Sequence, residues 1–534
     1  MNRRDLISGR HLGWALAGAM LAMGVGGLPA MAQDKPLVIA RNMDINSLDP
    51  HRGFCDTCQI YFSAAYDTLI GLGPDNKTLT PKVATSWTVN ENQTVFTFKL
   101  DPKAKFSDGT AIEAKDVKWS FERLKNLKGS PAFLMDDVAS VEAPDAQTVV
   151  VKMASPNSEF LGMIAAPYMG VINSKVATAA GAVAGPDAAT ADKSEAWFLA
   201  NSAGSGPYTL AGYRADDELR VKRNGAYWRT APAISEVVIK QTKDAVAQAQ
   251  MLQSGAADIA MQVDGETAKT IKGGNVVVST IPSYNYVYIA LSPGAKSNTV
   301  KLTPEVREAI AAALDYKGLI DFTVGDAGRP QPSPIPNGFP GSDNLPEPKQ
   351  DLAKAKQLLA KAGLEKGFEI DARFPNMNVY GVDLSQMMQK VQQDLAKVNI
   401  KAKLQPLTFT VWREAVSGDG VPLTAVFYAP DYYGSAQYVQ YFAMMQGSPW
   451  AKRAGAANAP DIINPREADL LKQALAAPAD QQNKLYRDLA LEMIKDKIII
   501  PIVSPDMIMA HSKAIKGVRY SACCNLPLDE IARN

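Results

Sequence analysis

A mixed α/β protein built in two or more lobes is the fold this sequence predicts, on three observations. Short β-branched runs alternate with amphipathic helical stretches along the whole chain. About 500 residues follow the N-terminal leader, more than a single hydrophobic core ordinarily serves. No internal repeat or long low-complexity tract interrupts them.

The leader comes first. Arg3-Arg4-Asp5-Leu6-Ile7 precedes an apolar stretch from Leu12 to Leu28 that ends in Ala30-Met31-Ala32, the order of a secretory signal. The positive end stays cytosolic, the apolar core enters the translocation machinery, and cleavage after Ala32 makes Gln33 the first mature residue. The arginine pair and the Gly/Ala-rich core point to the twin-arginine route, with the general route as the alternative. A permanent anchor needs roughly 20 apolar residues, and this run is broken by Gly26, Gly27 and Pro29. The expected location is the periplasm.

Strands are expected at Leu37 to Ala40, Thr94 to Leu100, Thr148 to Met153, Glu236 to Gln241, Val276 to Ile281, Ile400 to Leu404 and Lys497 to Val503, all rich in β-branched residues. Apolar residues at three- and four-residue steps predict helices over Asp116 to Leu127, Pro304 to Leu319 and Leu384 to Val398. Asp351 to Ala362 reads as another helix, with Asp351 as N-cap and Gly363 closing its end. Breaks fall at Gly181 to Asp192 and between Arg329 and Pro348, where seven prolines exclude helix.

The chain carries 56 basic and 55 acidic side chains, a formal net charge of +1. Loss of Arg3, Arg4, Asp5 and Arg10 with the leader brings it to about −1, a balance that argues against nucleic acid or an anionic membrane as partner. Only His51 and His511 lie beyond the leader, too few for His-x-x-x-His metal spacing. Gly-x-Ser-x-Gly, Walker, dinucleotide and Ser-x-x-Lys motifs are missing, so no catalytic residue, metal site or cofactor is expected. Acid pairs such as Asp136-Asp137 and Asp216-Asp217 leave a carboxylate-dependent exported hydrolase as the rival reading. The cysteines form two close pairs, Cys55/Cys58 and Cys523/Cys524, and export makes all four disulfide candidates with connectivity open. Bridges between the pairs would tie the two ends of the chain together.

Ala84-Thr85-Ser86-Trp87, Lys105-Phe106-Ser107-Asp108-Gly109-Thr110 and Ala114-Lys115-Asp116-Val117 give the sequence a likeness to a known group. The likeness continues through Leu48-Asp49-Pro50, Gly204-Ser205-Gly206-Pro207-Tyr208, Arg223-Asn224, Tyr227-Trp228, Gly255-Ala256-Ala257-Asp258, Val306-Arg307-Glu308-Ala309 and Ala355-Lys356-Gln357-Leu358-Leu359. In this order they resemble the family 5 extracellular solute-binding proteins, the dipeptide and oligopeptide receptors of ABC importers. The resemblance implies a type II two-lobe periplasmic-binding-protein fold with an inserted subdomain. By it, 33–75, 202–284 and 506–534 form lobe I, 76–201 its insert, and 285–505 lobe II.

It also implies a monomer that carries a peptide or other small solute to membrane permease subunits driven by a cytosolic ATPase. A peptide-docking chaperone or signalling module is the other rival. In the family an aspartate with an aromatic three residues before it pairs with the ligand's α-ammonium group, and Tyr428-Ala429-Pro430-Asp431 matches that pattern. The next residues, Tyr432-Tyr433-Gly434-Ser435, depart from the Asp-Pro or Glu-Pro that commonly follows and make the pocket floor more aromatic. The family pattern adds Phe54, Asp56, Phe133, Tyr284, Tyr286 and Trp412 as wall residues, and Arg413 as a fork for a ligand carboxylate.

Overall fold

The computed structural model describes residues 35–534, so the expected signal and its cleavage point lie outside the described residues. Two large sheets organise the chain. The first has seven strands in the order Val276–Ile281, Met507–Ser512, Ile259–Ala260, Leu37–Arg41, Glu236–Gln241, Glu218–Arg223 and Tyr208–Arg214. Leu37–Arg41 runs parallel to both of its neighbours, and the other pairings are antiparallel. The second sheet orders Gly328–Pro330, Ile499–Pro505, Tyr286–Leu291, Leu423–Tyr428, Phe368–Pro375 and Ile400–Leu407. A four-stranded antiparallel sheet of Ala84–Val89, Val95–Leu100, Thr148–Met153 and Val138–Asp145 stands apart from both.

Strand alternation decides which face each side chain joins. In Tyr286–Leu291, buried throughout, Val287, Ile289 and Leu291 pack into one core while Tyr286, Tyr288 and Ala290 pack into another on the opposite face. The chain passes between the two large sheets at residues 282–285 and at Asp506. These crossings are laced together: the Ser283 hydroxyl donates to the Pro505 carbonyl at 2.6 Å, and Arg329 bonds the Ser283 carbonyl and pairs with Asp506 at 3.2 Å.

The predicted helices form with one change. Pro304 to Leu319 is two helices, Pro304–Ala313 and Tyr316–Thr323, because the Asp315 carboxylate accepts from the Gly318 N–H and starts a new helix. Asp351 caps Leu352–Lys361 through the Lys354 N–H, and Gly363 beyond it takes φ +72°. The turn at Gly204 to Pro207 needs glycine for space. A Cβ at Gly204 would lie 2.0 Å from the Ala65 carbonyl oxygen, and one at Gly206 2.4 Å from that of Ala64.

One disulfide joins Cys55 to Cys58, whereas Cys523 and Cys524 are free thiols. Pairing is thus within the first couple, at the start of helix Asp56–Ala65, and no bridge links the two ends. Among the described residues no helix is long and apolar enough to cross a membrane, and no cluster of His, Cys, Asp or Glu has the makings of a metal site.

Candidate functional site

A cavity of about 300 Å³ opens between the two large sheets. One wall is Arg41, Asp44, Asp56 and Asn525; the other is the turn Met377 to Gly381 with Phe427. Arg41 ends the parallel strand Leu37–Arg41, and α/β sheets bind ligands beyond the carboxyl ends of their strands. The Asp44 carboxylate caps helix Asp56–Ala65, accepting from the N–H groups of Asp56 and Thr57, both at 2.9 Å. Asp244 and Asp264, also in the wall, are spent in the same way on the Ala247 and Thr267 N–H groups.

Two carboxylates of the region are left without a cation. Asp431, 5% exposed, accepts one long bond of 3.4 Å from the Tyr428 hydroxyl and makes no ion pair among the described residues. Burial, and then the charge of Asp56, push its carboxyl up to about 8. Asp56, half-buried, receives the Tyr380 hydroxyl at 3.3 Å and likewise forms no ion pair among the described residues. Burial followed by the neighbouring Asp44 raises it, with Arg41 opposing. Arg41 is 2% exposed, yet its closest carboxylate, Asp44, is 3.9 Å away and its other contacts are long ones to the Asn42 carbonyl and the Met261 sulfur. A buried guanidinium and unpaired acids together fit a ligand bearing a cationic end and a carboxylate.

Aromatic and amide groups complete the surroundings. Phe54 stacks on Tyr168 at 5.3 Å and meets Phe133 edge-on at 6.1 Å. Gln59 bonds the Tyr168 hydroxyl at 3.1 Å, reaches the Pro430 carbonyl at 3.5 Å, and accepts from Asn525 at 2.8 Å. This chain of bonds runs from the last residues of the sequence to the segment before Asp431.

The structure therefore brings Asp431, Tyr428, Asp56, Phe54 and Phe133 to one region, and sends other expected wall residues elsewhere. Tyr286 is fully buried against Tyr288 and Phe442, because its strand parity turns it into the core. Trp412 is buried with its indole N–H on the Thr424 hydroxyl at 2.8 Å, so it supports a strand. Arg413, its neighbour on helix Phe409–Ser417, is exposed and outside the cavity wall. Tyr284 meets Phe339 and Tyr433 edge to face, Tyr433 lies tilted against Phe339 at 4.7 Å, and the Tyr433 hydroxyl donates to the Gly338 carbonyl at 3.1 Å.

Tyr432 is buried in the core and lies outside the cavity wall. Glu159, which precedes the short helix Phe160–Ile164, accepts from the N–H groups of Ser435 and Ala436, both at 2.9 Å, and lies 3.4 Å from the Tyr432 hydroxyl. A Cβ at Gly434 would fall 2.3 Å from a Glu159 oxygen, so glycine leaves the room this latch needs. Burial raises Glu159 to about 7 despite bonds from Ala436, Ser435 and Tyr432. Sequence reasoning overlooked Arg41, Tyr380, Asn525, Gln59 and Glu159. Only Arg41 carried a local signal, a charge at the carboxyl end of an apolar strand.

The family model for bacterial extracellular solute-binding proteins, family 5 Middle, matches residues 78–450. The glutathione-binding protein GsiB of Pectobacterium atrosepticum is 26% identical over 516 residues, which is 94% of this chain and 95% of that protein. A dipeptide-binding protein from Pseudoalteromonas sp. SM9913, solved with Met-Leu, superposes with a TM-score of 0.80 at 19% identity, over 94% of this chain and all of the other. The periplasmic binding protein AgaA of A. tumefaciens R10, solved with agropinic acid, gives a TM-score of 0.76 at 22% identity, over 94% and 99% of the two chains. The fold is thus that of the two-lobe periplasmic binding proteins.

Proposed function

The chain belongs to the bacterial extracellular solute-binding proteins of family 5, and from that premise we propose that it captures a small solute with a cationic end, a peptide or amino-acid conjugate, between its lobes. It is the substrate-binding component of an ABC importer. We take 33–75, 202–284 and 506–534 as lobe I, 76–201 as its insert and 285–505 as lobe II. Export with cleavage before Gln33, work in the periplasm as a monomer, and delivery to permease subunits belong to the same reading, and the role is one of carriage without catalysis.

One observation carries the ligand class: Asp431, buried, and Asp56, half-buried, each hold a single tyrosine hydroxyl and no ion pair among the described residues. A ligand ammonium placed there satisfies both and removes the cost of the buried charge. Arg41 takes the ligand carboxylate, and Phe54, Phe133 and Tyr168 flank the intervening atoms. Relatives of this chain are named for glutathione and for dipeptides, both zwitterions that meet this description. Closure around such a guest excludes water, strengthens each polar contact and presents the permease with a loaded shape.

Calorimetric titration with dipeptides and their N-acetylated forms tests the reading. A charge-assisted bond contributes about 1.5–3 kcal/mol, so acetylation should weaken binding roughly ten- to a hundredfold. Equal affinity for the two forms removes the role given to Asp56 and Asp431.

A further inference from the structure

We propose that Cys523 and Cys524 form a reversible redox modification site, which exchanges with a small disulfide to close a bond between these adjacent residues. Their sulfur atoms lie 2.8 Å apart, and both contact the Ser521 hydroxyl, at 3.2 and 3.3 Å. The turn that holds them is closed by reciprocal backbone bonds between Ser521 and Asn525, at 3.0 and 2.9 Å, with Asn525 at φ +56°. Both thiols border a separate cavity of about 70 Å³, which Lys82 and Arg519 also line.

That setting suits thiol exchange. The hydrogen bond with Cys524 draws the Cys523 thiol below its ordinary value, aided by Ser521 and by the charges of Lys82 and Arg519, while Cys524 is held above. One cysteine is thus the attacking thiolate and the other the resolving thiol. Cys523 attacks one sulfur of the disulfide and expels a first thiol. Cys524 then attacks the Cys523 sulfur and expels the second. Two protein thiols are oxidised, one disulfide is reduced to two thiols, and the cysteine protons leave on the products.

Reversibility follows from adjacency. Neighbouring Cα atoms are held about 3.8 Å apart, short of the roughly 4.4–6.8 Å that a relaxed disulfide prefers. Such a ring is strained and returns readily to thiols. The site also reaches the cleft, because Asn525 of the same turn bonds the Gln59 side chain and the Asp56 carbonyl.

The test uses the native, full-length exported protein with its thiols reduced, treated with 2-hydroxyethyl disulfide, then denatured, alkylated and digested at arginine. The expected product is the peptide from Tyr520 to Arg533 with neither cysteine alkylated and a mass lower by two hydrogens, returning to the doubly alkylated form with dithiothreitol. Cys524→Ser should stop at one hydroxyethylthio adduct on Cys523. Persistent double alkylation of the treated native wild type overturns the proposal, as does a bridge from either residue to Cys55 or Cys58. Because the decisive readout is on the wild type, poor folding of the variant leaves it intact.

Discussion

Two buried charge clusters in this protein are built to opposite rules. In the first, the Arg123 guanidinium is enclosed: it bonds both Asp49 oxygens, at 2.8 and 2.5 Å, Asp192 at 2.9 Å and the Ser194 hydroxyl at 3.0 Å. Its acids are answered, and Asp192 is held far below the usual carboxylate range by bonds and charge from Arg123 that outweigh burial. In the second, Asp431 has one long hydrogen bond, and burial followed by the like charge of Asp56 raises its carboxyl. A paired buried cluster pins segments distant in the chain together. An unpaired one stores a demand for charge that a guest can meet.

The largest effect should come from breaking the satisfied cluster. Arg123→Met strands Asp49 and Asp192 in the interior and should lower unfolding free energy by about 3–5 kcal/mol, read by chemical denaturation, with ligand affinity retained below the transition. A loss under 1 kcal/mol on the same scale would mean that the network is hydrated and contributes little. Asp431→Asn should do the reverse: unliganded melting temperature holds or rises, while affinity for a zwitterionic dipeptide falls roughly ten- to a hundredfold. Unchanged binding by calorimetry would move the ammonium site elsewhere.

The pH profile sharpens the contrast. Asp431 is raised from 3.8 to about 8 in the folded state, so what its protonated form contributes to stability is present below pH 4 and lost as pH rises through 8. Asp192, with its folded-state value depressed, contributes stability above the unfolded value and loses it as pH falls. Unliganded protein should therefore melt lower at pH 8 than at pH 6, and Asp431→Asn should flatten that slope. Binding of a cationic group should release a proton from Asp431 and tighten from pH 6 to 8, seen as buffer-dependent heat in calorimetry. An equal slope in wild type and variant would assign the titration to another group.

The smallest effect concerns the latch. Glu159→Gln keeps one acceptor oxygen for Ser435 or Ala436 and gives up the other, which should cost about 1 kcal/mol of closure. Small-angle scattering of the unliganded protein should show a modest shift to a larger radius. No shift would mean that the packing of Tyr432 into the core of the seven-stranded sheet suffices to hold the closed form.

Much of the fold was readable before any coordinates. Thr148 to Met153, Glu236 to Gln241 and Val276 to Ile281 form strands over the expected residues, because β-branched side chains in short runs report their own backbone preference. Pro304 to Leu319 shows the limit: its apolar spacing ran on across Asp315, whose capping of Gly318 is a local bond that periodicity does not register. For the candidate site, family motifs pointed to Asp431 and Phe54 and equally to Tyr286 and Trp412, which turn into the core. Aromatic residues look alike in a sequence whether they face a cavity or a core, and strand parity with a neighbouring sheet decides which.

What this sequence settles unaided is everything that depends on near neighbours along the chain: the leader's order of charge and apolar length, the strands, the caps at Asp351 and Gly363, and the balance of charge. Which groups meet across hundreds of residues was decided only by the tertiary structure. Asn525 bonds Gln59, Glu159 accepts from Ser435, and the turn that holds the free thiols Cys523 and Cys524 is bonded through Asn525 to the helix that begins beside the Cys55–Cys58 bridge. The reason is physical: a carboxylate's character depends on the charges and the water around it, and the packing of distant segments supplies both.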